Sequence, residues 1–538
     1  MKKALLSILC VLFSASLFAA SYRITDVNYV IDGKTRKYAL ETKEKVDKKK
    51  VFANEDELIA YIEDYKMRLN NLRAFEEIKT DFSVGEPDEN GTTAVKLLVY
   101  VKDSHHLLLV PYPKYSSSSG VNLKIKARDS NFLGTLETMS SDFHLEMCGS
   151  NPNPVIGFKF DFEVPFKMGI FDAVWLNTLA MDYETTQSSP SWDLMTGLKL
   201  TKDFDKFSIV NQFKQSSVRK VEYEFTNDDG SIETVDEITY FTEEYSFGVP
   251  IILQDIPNWG KVLYTPAASF VANWTTEDVP DSQKDALITQ AVGLMQSIST
   301  FRINWVGNFR DGLGATFSQI YTYALSTKKY TTGFSGELYF YKAFEIPVKD
   351  KSINFGINSR IYGFANLKGY SSFGERLRGI ASDQKFNADI PSDLTDTSAI
   401  EDYITLTHTS ACSSKAAIVV NFDMPIKLGT IYWENVPVIQ KIKYAKYFDM
   451  EVQVSPFVDF ALFQNKAAGT LFNPADGFLS GGLEALFFPT KMRGINIRGS
   501  IGVDLSRKMP WLKNKFNQEW RDHKAKSYEI SIGIGVHY

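Results

Sequence analysis

The chain has 538 residues, 14% of them aromatic with 39 Phe and 26 Tyr, and a formal net charge of −6. Such a length exceeds one ordinary domain and is ample for a large core or barrel. The acidic balance excludes a basic nucleic-acid surface, and beyond the first twenty residues no run of about 18 apolar residues exists, which excludes transmembrane helices.

Residues 1–20 have Lys2 and Lys3 ahead of an apolar stretch, Ala4 to Ala20, that ends in small residues. This is the pattern of a cleaved export signal, and its removal takes the formal charge from −6 to −8. Cys10 sits mid-stretch after Leu9, which disfavours lipidation. Cys148 and Cys412 then remain, too few for a disulfide framework, and whether they pair is left open.

Residues 21–103 read as a small α+β module. Arg23 to Val30 supplies a strand, and Asp32-Gly33 reads as a hairpin turn. The charged run Glu41 to Lys50 reads as a solvated face. Asn54 with Glu57 three residues later is a capping-box-like helix start. Leu58, Ile62, Tyr65, Leu69 and Leu72 then recur at helical spacing as one apolar stripe. Two strand patterns follow, Ile78 to Val84 and Val95 to Val101, joined by a strong turn signal from Gly85 to Gly91.

From residue 104 onward helical periodicity gives way to alternation. Val121, Leu123, Ile125 and Ala127 alternate with polar residues, as do Phe158 to Phe166 and, near the end, Ile495, Ile497 and Ile501. Long polar stretches at 181–191, 225–238, 275–284 and 366–413 read as loops. The fold class is therefore an all-β transmembrane barrel, residues 104–538, with room for about 16 antiparallel strands, preceded by the small module. In the last stretch Tyr528, Ile530, Ile532, Ile534, Val536 and Tyr538 share one face, opposite Glu529, Ser531, Gly533, Gly535 and His537. Apolar outside, small or polar inside and aromatic at the end is what a closing barrel strand needs.

Catalytic signatures are missing: there is no His-Glu-x-x-His, no Gly-x-Ser-x-Gly and no Cys-x-x-Cys. His105-His106 beside Asp103 reads as a linker, since adjacent residues on an extended segment point to opposite faces. Arg493 and Arg498 read as lumen-facing strand residues, and Trp511 and Trp520 as loop cover. No enzyme activity, cofactor or metal site is expected.

Both halves resemble a known family. Ile31-Asp32-Gly33-Lys34-Thr35 and Leu69-Asn70-Asn71-Leu72-Arg73-Ala74-Phe75-Glu76-Glu77-Ile78 resemble a POTRA domain, with Arg73 where that pattern has glycine. Pro111-Tyr112-Pro113-Lys114-Tyr115, Gly120 and Asn131-Phe132-Leu133-Gly134-Thr135 resemble the first hairpin and following turn of the BamA/TamA-type outer-membrane assembly and translocation family. Leu377, Arg378, Gly379 and Ile380 resemble its lumen-loop motif. Phe457 and Asp459 resemble its wall motif, with Ala461 in place of a glycine, and Ser531, Gly533, Val536 and Tyr538 resemble its terminal β-signal. The family's further wall glutamate is Asn421 here, with Asp423 two residues on, so the pocket holds one carboxylate fewer or uses Asp423 instead.

The resemblance implies an outer-membrane factor for protein insertion or translocation in a diderm bacterium, with a periplasmic POTRA domain. A loop arginine in the lumen requires a wall carboxylate, which points to Arg378 with Asp459. Pro111 and Pro113 cannot donate ladder hydrogen bonds, and Gly533 and Gly535 weaken the strand opposite, so residues 107–115 and 528–538 form a candidate lateral gate. The partners implied are client outer-membrane or secreted proteins, periplasmic or lipoprotein accessory subunits and outer-membrane lipids, with no nucleic acid. The alternatives are a surface adhesin or antigen and a dedicated single-client secretion transporter; a passive porin fits the small module poorly.

Overall fold

The computed structural model describes residues 21–88, 91–116, 120–147, 154–187, 189–226, 232–256, 259–277, 287–349, 351–379, 413–437, 439, 449–465, 470–474, 477–505 and 528–534. Residues 1–20, Cys148, Cys412, Trp511 and Trp520 lie outside them. The chain forms two compact units. The first takes residues up to Leu107 together with Asp129–Thr138 and Lys491–Gly494; the second takes Leu108–Arg128, Met139–Thr490 and Ile495 onward.

In the first unit, four strands stand in the order β2-β1-β4-β3: β1 (Ser21–Asp32), β2 (Val51–Phe52), β3 (Phe75–Pro87) and β4 (Thr92–Asp103). β1 runs parallel to β4, with Ile24 opposite Val95, while β3 and β4 form an antiparallel hairpin. β3 is thus an edge strand. Helix Glu55–Asn71 lays Leu58, Ile62, Tyr65 and Leu69 against Ile24, Val95, Leu97, Val99 and Val101. Its start is held reciprocally. Asn54 Oδ1 accepts the Glu57 amide at 2.8 Å, satisfying a donor that a helix N-terminus leaves open, and Glu57 Oε2 accepts the amide of Ala53, the residue before the cap, at 2.9 Å.

Asp32-Gly33 does not make a hairpin. Asp103 Oδ2 accepts the Lys34 and Thr35 amides at 2.7 and 2.9 Å, and the chain passes into helix Lys37–Lys43. That helix overrides its charged composition by burying Ala39 and Leu40. Arg73 has φ +52°, the left-handed region glycine adopts most easily. Here the arginine is kept in place by Nε donating to the Arg493 carbonyl at 2.5 Å. Arg493 therefore lies in a turn of this unit, not on a lumen-facing strand. Ile495 is buried just ahead of strand Ile497–Asp504, so the alternation begins at Ile497.

Segment Asp129–Thr138 is bound tightly into the same unit. Asn131 Nδ2 donates to Thr35 Oγ1 at 2.7 Å, Arg36 N donates to Gly134 O at 2.8 Å, and Lys43 pairs with Glu137 at 2.7 Å. Gly134 has φ +73°, and a Cβ there would meet the Lys34 carbonyl oxygen at 2.0 Å, so the approach admits only glycine. His106 Nδ1 lies 2.6 Å from Asp129 Oδ1.

The second unit is a closed antiparallel barrel of 21 strand segments, in which Tyr528–Ile534 stands next to Leu107–Ser116. Three segments are continuations. Ile251–Ile256 extends Ile232–Gly248 against Gly260–Trp274, and Ile426–Ile431 extends Ala416–Asp423 against Met450–Asn465. Thr470–Leu471 likewise shares Met450–Asn465 with Phe478–Pro489. The described residues thus make eighteen spans where spacing suggested about 16, because connections such as 169–170 and 307–308 are only two residues long.

The polar stretch 225–238 is mostly strand, not loop. Ser208–Thr226 and Ile232–Gly248 stay paired out to Thr226 opposite Ile232. The start of 181–191 also belongs to a strand, Phe171–Glu184.

Outward positions are large and apolar, including Phe213, Leu294, Phe317, Leu338, Ile418, Val458, Ile530 and Ile532, all exposed. Inward positions carry ion pairs such as Lys214 with Glu244 at 2.9 Å. An apolar exterior around a polar interior, closed without an edge, is a membrane-spanning barrel.

Candidate functional site

After strand Lys351–Lys368 the described chain, residues 369–379, turns back along the inner wall. Ser371–Ser372 pairs with Ser413–Ser414, and a 3-10 turn follows at Gly374–Arg376. Phe373 and Leu377 then bury themselves among Phe364, Ala417, Val419, Ala461, Phe463 and Phe478. Ala461, fully buried, lies in this apolar cluster. The cluster aligns the next two residues, Arg378 and Gly379, with the polar wall.

That wall follows from register. Asn358 lies opposite Asp423, Asp423 opposite Phe457, Phe457 opposite Gly482, Gly482 opposite Gly502, and Gly502 opposite Glu529. One step along the same strands, Arg360, Asn421, Asp459, Ser480 and Asp504 form a second row. On strand Met450–Asn465, Glu451, Gln453, Ser455, Phe457 and Asp459 face inward and are buried, while Val458 is 45% exposed outside.

Arg378, 4% exposed, meets Asp459, 0% exposed. Its Nε donates to Asp459 Oδ2 at 2.9 Å, its Nη2 to Oδ1 at 2.7 Å, and its backbone amide to Oδ2 at 2.8 Å. Nη1 reaches Glu484 Oε2 at 3.4 Å and stands 3.6 Å from Asp423 Oδ2. The guanidinium also lies over the Phe457 ring, 4.1 Å from its centre. A planar fork facing a carboxylate is the geometry that distinguishes arginine from lysine. Burying this charge is offset only because three carboxylates and an aromatic face surround it.

Asn421 plays a different part from Asp423. Its Nδ2 donates to the Arg376 carbonyl at 2.8 Å, holding the loop backbone, whereas Asp423 faces the guanidinium and accepts Asn358 Nδ2 at 2.6 Å. Arg376 stacks on Tyr362, 3.6 Å from its centre, and pairs with Glu337 at 2.5 Å.

Gly379, at φ +77°, runs against Gly502 so closely that a Cβ on Gly379 would lie 2.8 Å from the Gly502 backbone. Its amide donates to Glu529 Oε2 at 3.1 Å. Leu377, Arg378, Gly379, Asn421, Asp423, Phe457 and Asp459 are thus gathered at one place on the wall. Ile380 lies outside the described residues.

The other candidate residues are elsewhere. Pro111 and Pro113 lie in strand Leu107–Ser116, and Ser531 and Gly533 in Tyr528–Ile534. Ser531 Oγ is 2.7 Å from Ser500 Oγ, and Gly533 leaves room for the Arg498 side chain, which a Cβ would meet at 3.0 Å. Gly535, Val536 and Tyr538 lie outside the described residues. Glu484 and Gly502 escaped the sequence reading, and Glu529 was read only as a position on the inner face of the closing strand. Their signal was the alternation of small or acidic residues at Ser480, Gly482 and Glu484 between apolar neighbours, which marks a lumen face but not what it touches.

Fold and site together define a membrane β-barrel with an inward loop latched to its wall. No protein-family model matches the sequence, and no curated protein does. Among solved structures it is similar to CdiB from Escherichia coli, at 11% identity over 95% of this chain and 76% of that one, TM-score 0.46. It is also similar to CdiB from Acinetobacter baumannii, at 11% identity over 90% and 70%, TM-score 0.44. A third is BamA from Haemophilus ducreyi lacking POTRA domains 1–3, at 12% identity over 95% and 84%, TM-score 0.31.

Proposed function

We propose that this chain is an outer-membrane factor that inserts or translocates other proteins, with its first unit acting as a periplasmic POTRA domain. The observation that carries the reading is the latch of Arg378 on Asp459. Three hydrogen bonds from Arg378 to Asp459, two from the guanidinium and one from the backbone amide, hold this loop against the wall, at the residues that resemble the assembly family's lumen-loop and wall motifs. Two further features support it. β3 is an edge strand of its four-stranded sheet, and an extended client can add to such an edge by strand pairing. Strand Leu107–Ser116 contains two prolines that donate nothing to the ladder, and it neighbours the closing strand Tyr528–Ile534, so this seam is the place to open sideways.

In this mechanism a client strand is first held at β3 and then templated on the freed edge of the seam. Accessory periplasmic or lipoprotein subunits and outer-membrane lipids are its partners. Paired cysteines, one in Leu107–Ser116 and one in Tyr528–Ile534, test the gate. Locking the seam should abolish client assembly and reduction should restore it; undiminished assembly by the locked protein would sink the gate.

A further inference from the structure

The row Phe457, Gly482, Gly502, Glu529 does more than seat the loop. Two successive positions on it lack side chains, and both are needed: a Cβ on Gly482 would meet the Ile501 carbonyl oxygen at 2.0 Å, and one on Gly502 would meet Gly379 Cα at 2.5 Å. The loop backbone lies in the track so formed. Arg378 caps one end over Phe457, and the Gly379 amide reaches the other end at Glu529. Glu529 belongs to the closing strand, and the described part of that strand pairs with Ile497–Asp504 over seven residues, Val503 opposite Tyr528 through Ile497 opposite Ile534. The loop therefore grips the closing strand directly.

We propose that Glu529 is a positioning residue through which the seated lumen loop holds the closing strand, so that release of Arg378 from Asp459 loosens Tyr528–Ile534. As regulation of the seam this rests on the assembly reading above; as a mechanical link it does not. A hydrogen bond from an amide to a carboxylate contributes more than a neutral one, and leaving a partner unmet adds to the loss. The loop and the strand are thus coupled in free energy, although Arg378 and Glu529 sit on different elements.

Amide hydrogen exchange of the full chain in bilayers reads this out. Glu529→Ala and Arg378→Ala should each speed exchange across Tyr528–Ile534 by about tenfold, the size of one charged hydrogen bond. The double variant should be no faster than either single, because both break one link. Glu529→Gln, whose amide oxygen still accepts from Gly379, should restore near-native exchange. If Arg378→Ala does not fold, Gly502→Ala displaces the loop while leaving the wall charges in place, and should give the same acceleration. Unchanged exchange at Tyr528–Ile534 in a folded Arg378→Ala or Gly502→Ala protein, or multiplicative effects in the double variant, would overturn the proposal. Client assembly does not enter this measurement, so its outcome is separate from that of the assembly reading.

Discussion

Arg378 and Asp459 meet through three hydrogen bonds on one carboxylate, two from the guanidinium and one from the arginine's own backbone amide. The side chain and the main chain of the loop are therefore fixed by the same acid. Arg378→Ala leaves Asp459, Glu484 and Asp423 facing one another without their shared cation. Removing one partner of a buried pair costs about 3–5 kcal/mol, so a matching fall in unfolding free energy is expected in urea titrations. Arg378→Lys should recover only part of it, because lysine keeps the charge but loses the fork.

Glycine matters at 379 for geometry, not for size alone. Gly379→Ala places a Cβ 2.8 Å from the Gly502 backbone at φ +77°, so the loop should unseat. Gly336→Ala is the matched control, since its Cβ would lie 3.5 Å from the Thr316 carbonyl oxygen. Protease protection of the loop should fall in the first variant and be unchanged in the second.

Asn54 begins the helix of the first unit by accepting the Glu57 amide. Asn54→Ala should lower local stability by about 1 kcal/mol, measured as faster amide exchange within Glu55–Asn71 of the intact chain. Asn54→Ser should retain most of the protection.

Acidification should act on the first unit with two opposite signs. A hydrogen bond from Lys491, helped by Lys102, holds the Glu76 carboxyl below its ordinary value of 4.5. Its stabilising contribution is complete above about pH 4.5 and is lost as pH falls through the lowered value. Burial pushes the Glu44 carboxyl up, with Arg68 opposing, so stability rises as pH falls from that raised value toward 4.5. Local stability of this unit should therefore peak near pH 4.5. Exchange-detected pH profiles should lose the acid limb in Glu76→Gln and the upper limb in Glu44→Gln.

Legibility in the sequence followed the range of each interaction. The Asn54 start and the stripe Leu58 to Leu69 were readable because capping and helical spacing are local. Alternation in Tyr528–Ile534 was readable because a strand with one face in lipid must repeat every two residues. Helix Lys37–Lys43 was not, since burial of Ala39 and Leu40 and the Asp103 contacts to Lys34 and Thr35 come from residues far along the chain. The loop assigned to 225–238 failed for a related reason: pairing out to Thr226 opposite Ile232 is set by register between two strands, not by the polar composition of the stretch. Glu484, Gly502 and Glu529 became site residues only through register across several strands, which the spacing within any one strand cannot specify.

Depletion of this protein in its own cells, followed by a quantitative census of outer-membrane and exported proteins, tests the central claim most directly. Loss of many barrels would support general assembly, and loss of one export would support a dedicated transporter; either is rescued by the native chain and not by Arg378→Ala. An unaltered census after complete depletion would contradict the assembly and translocation account and favour a surface adhesin.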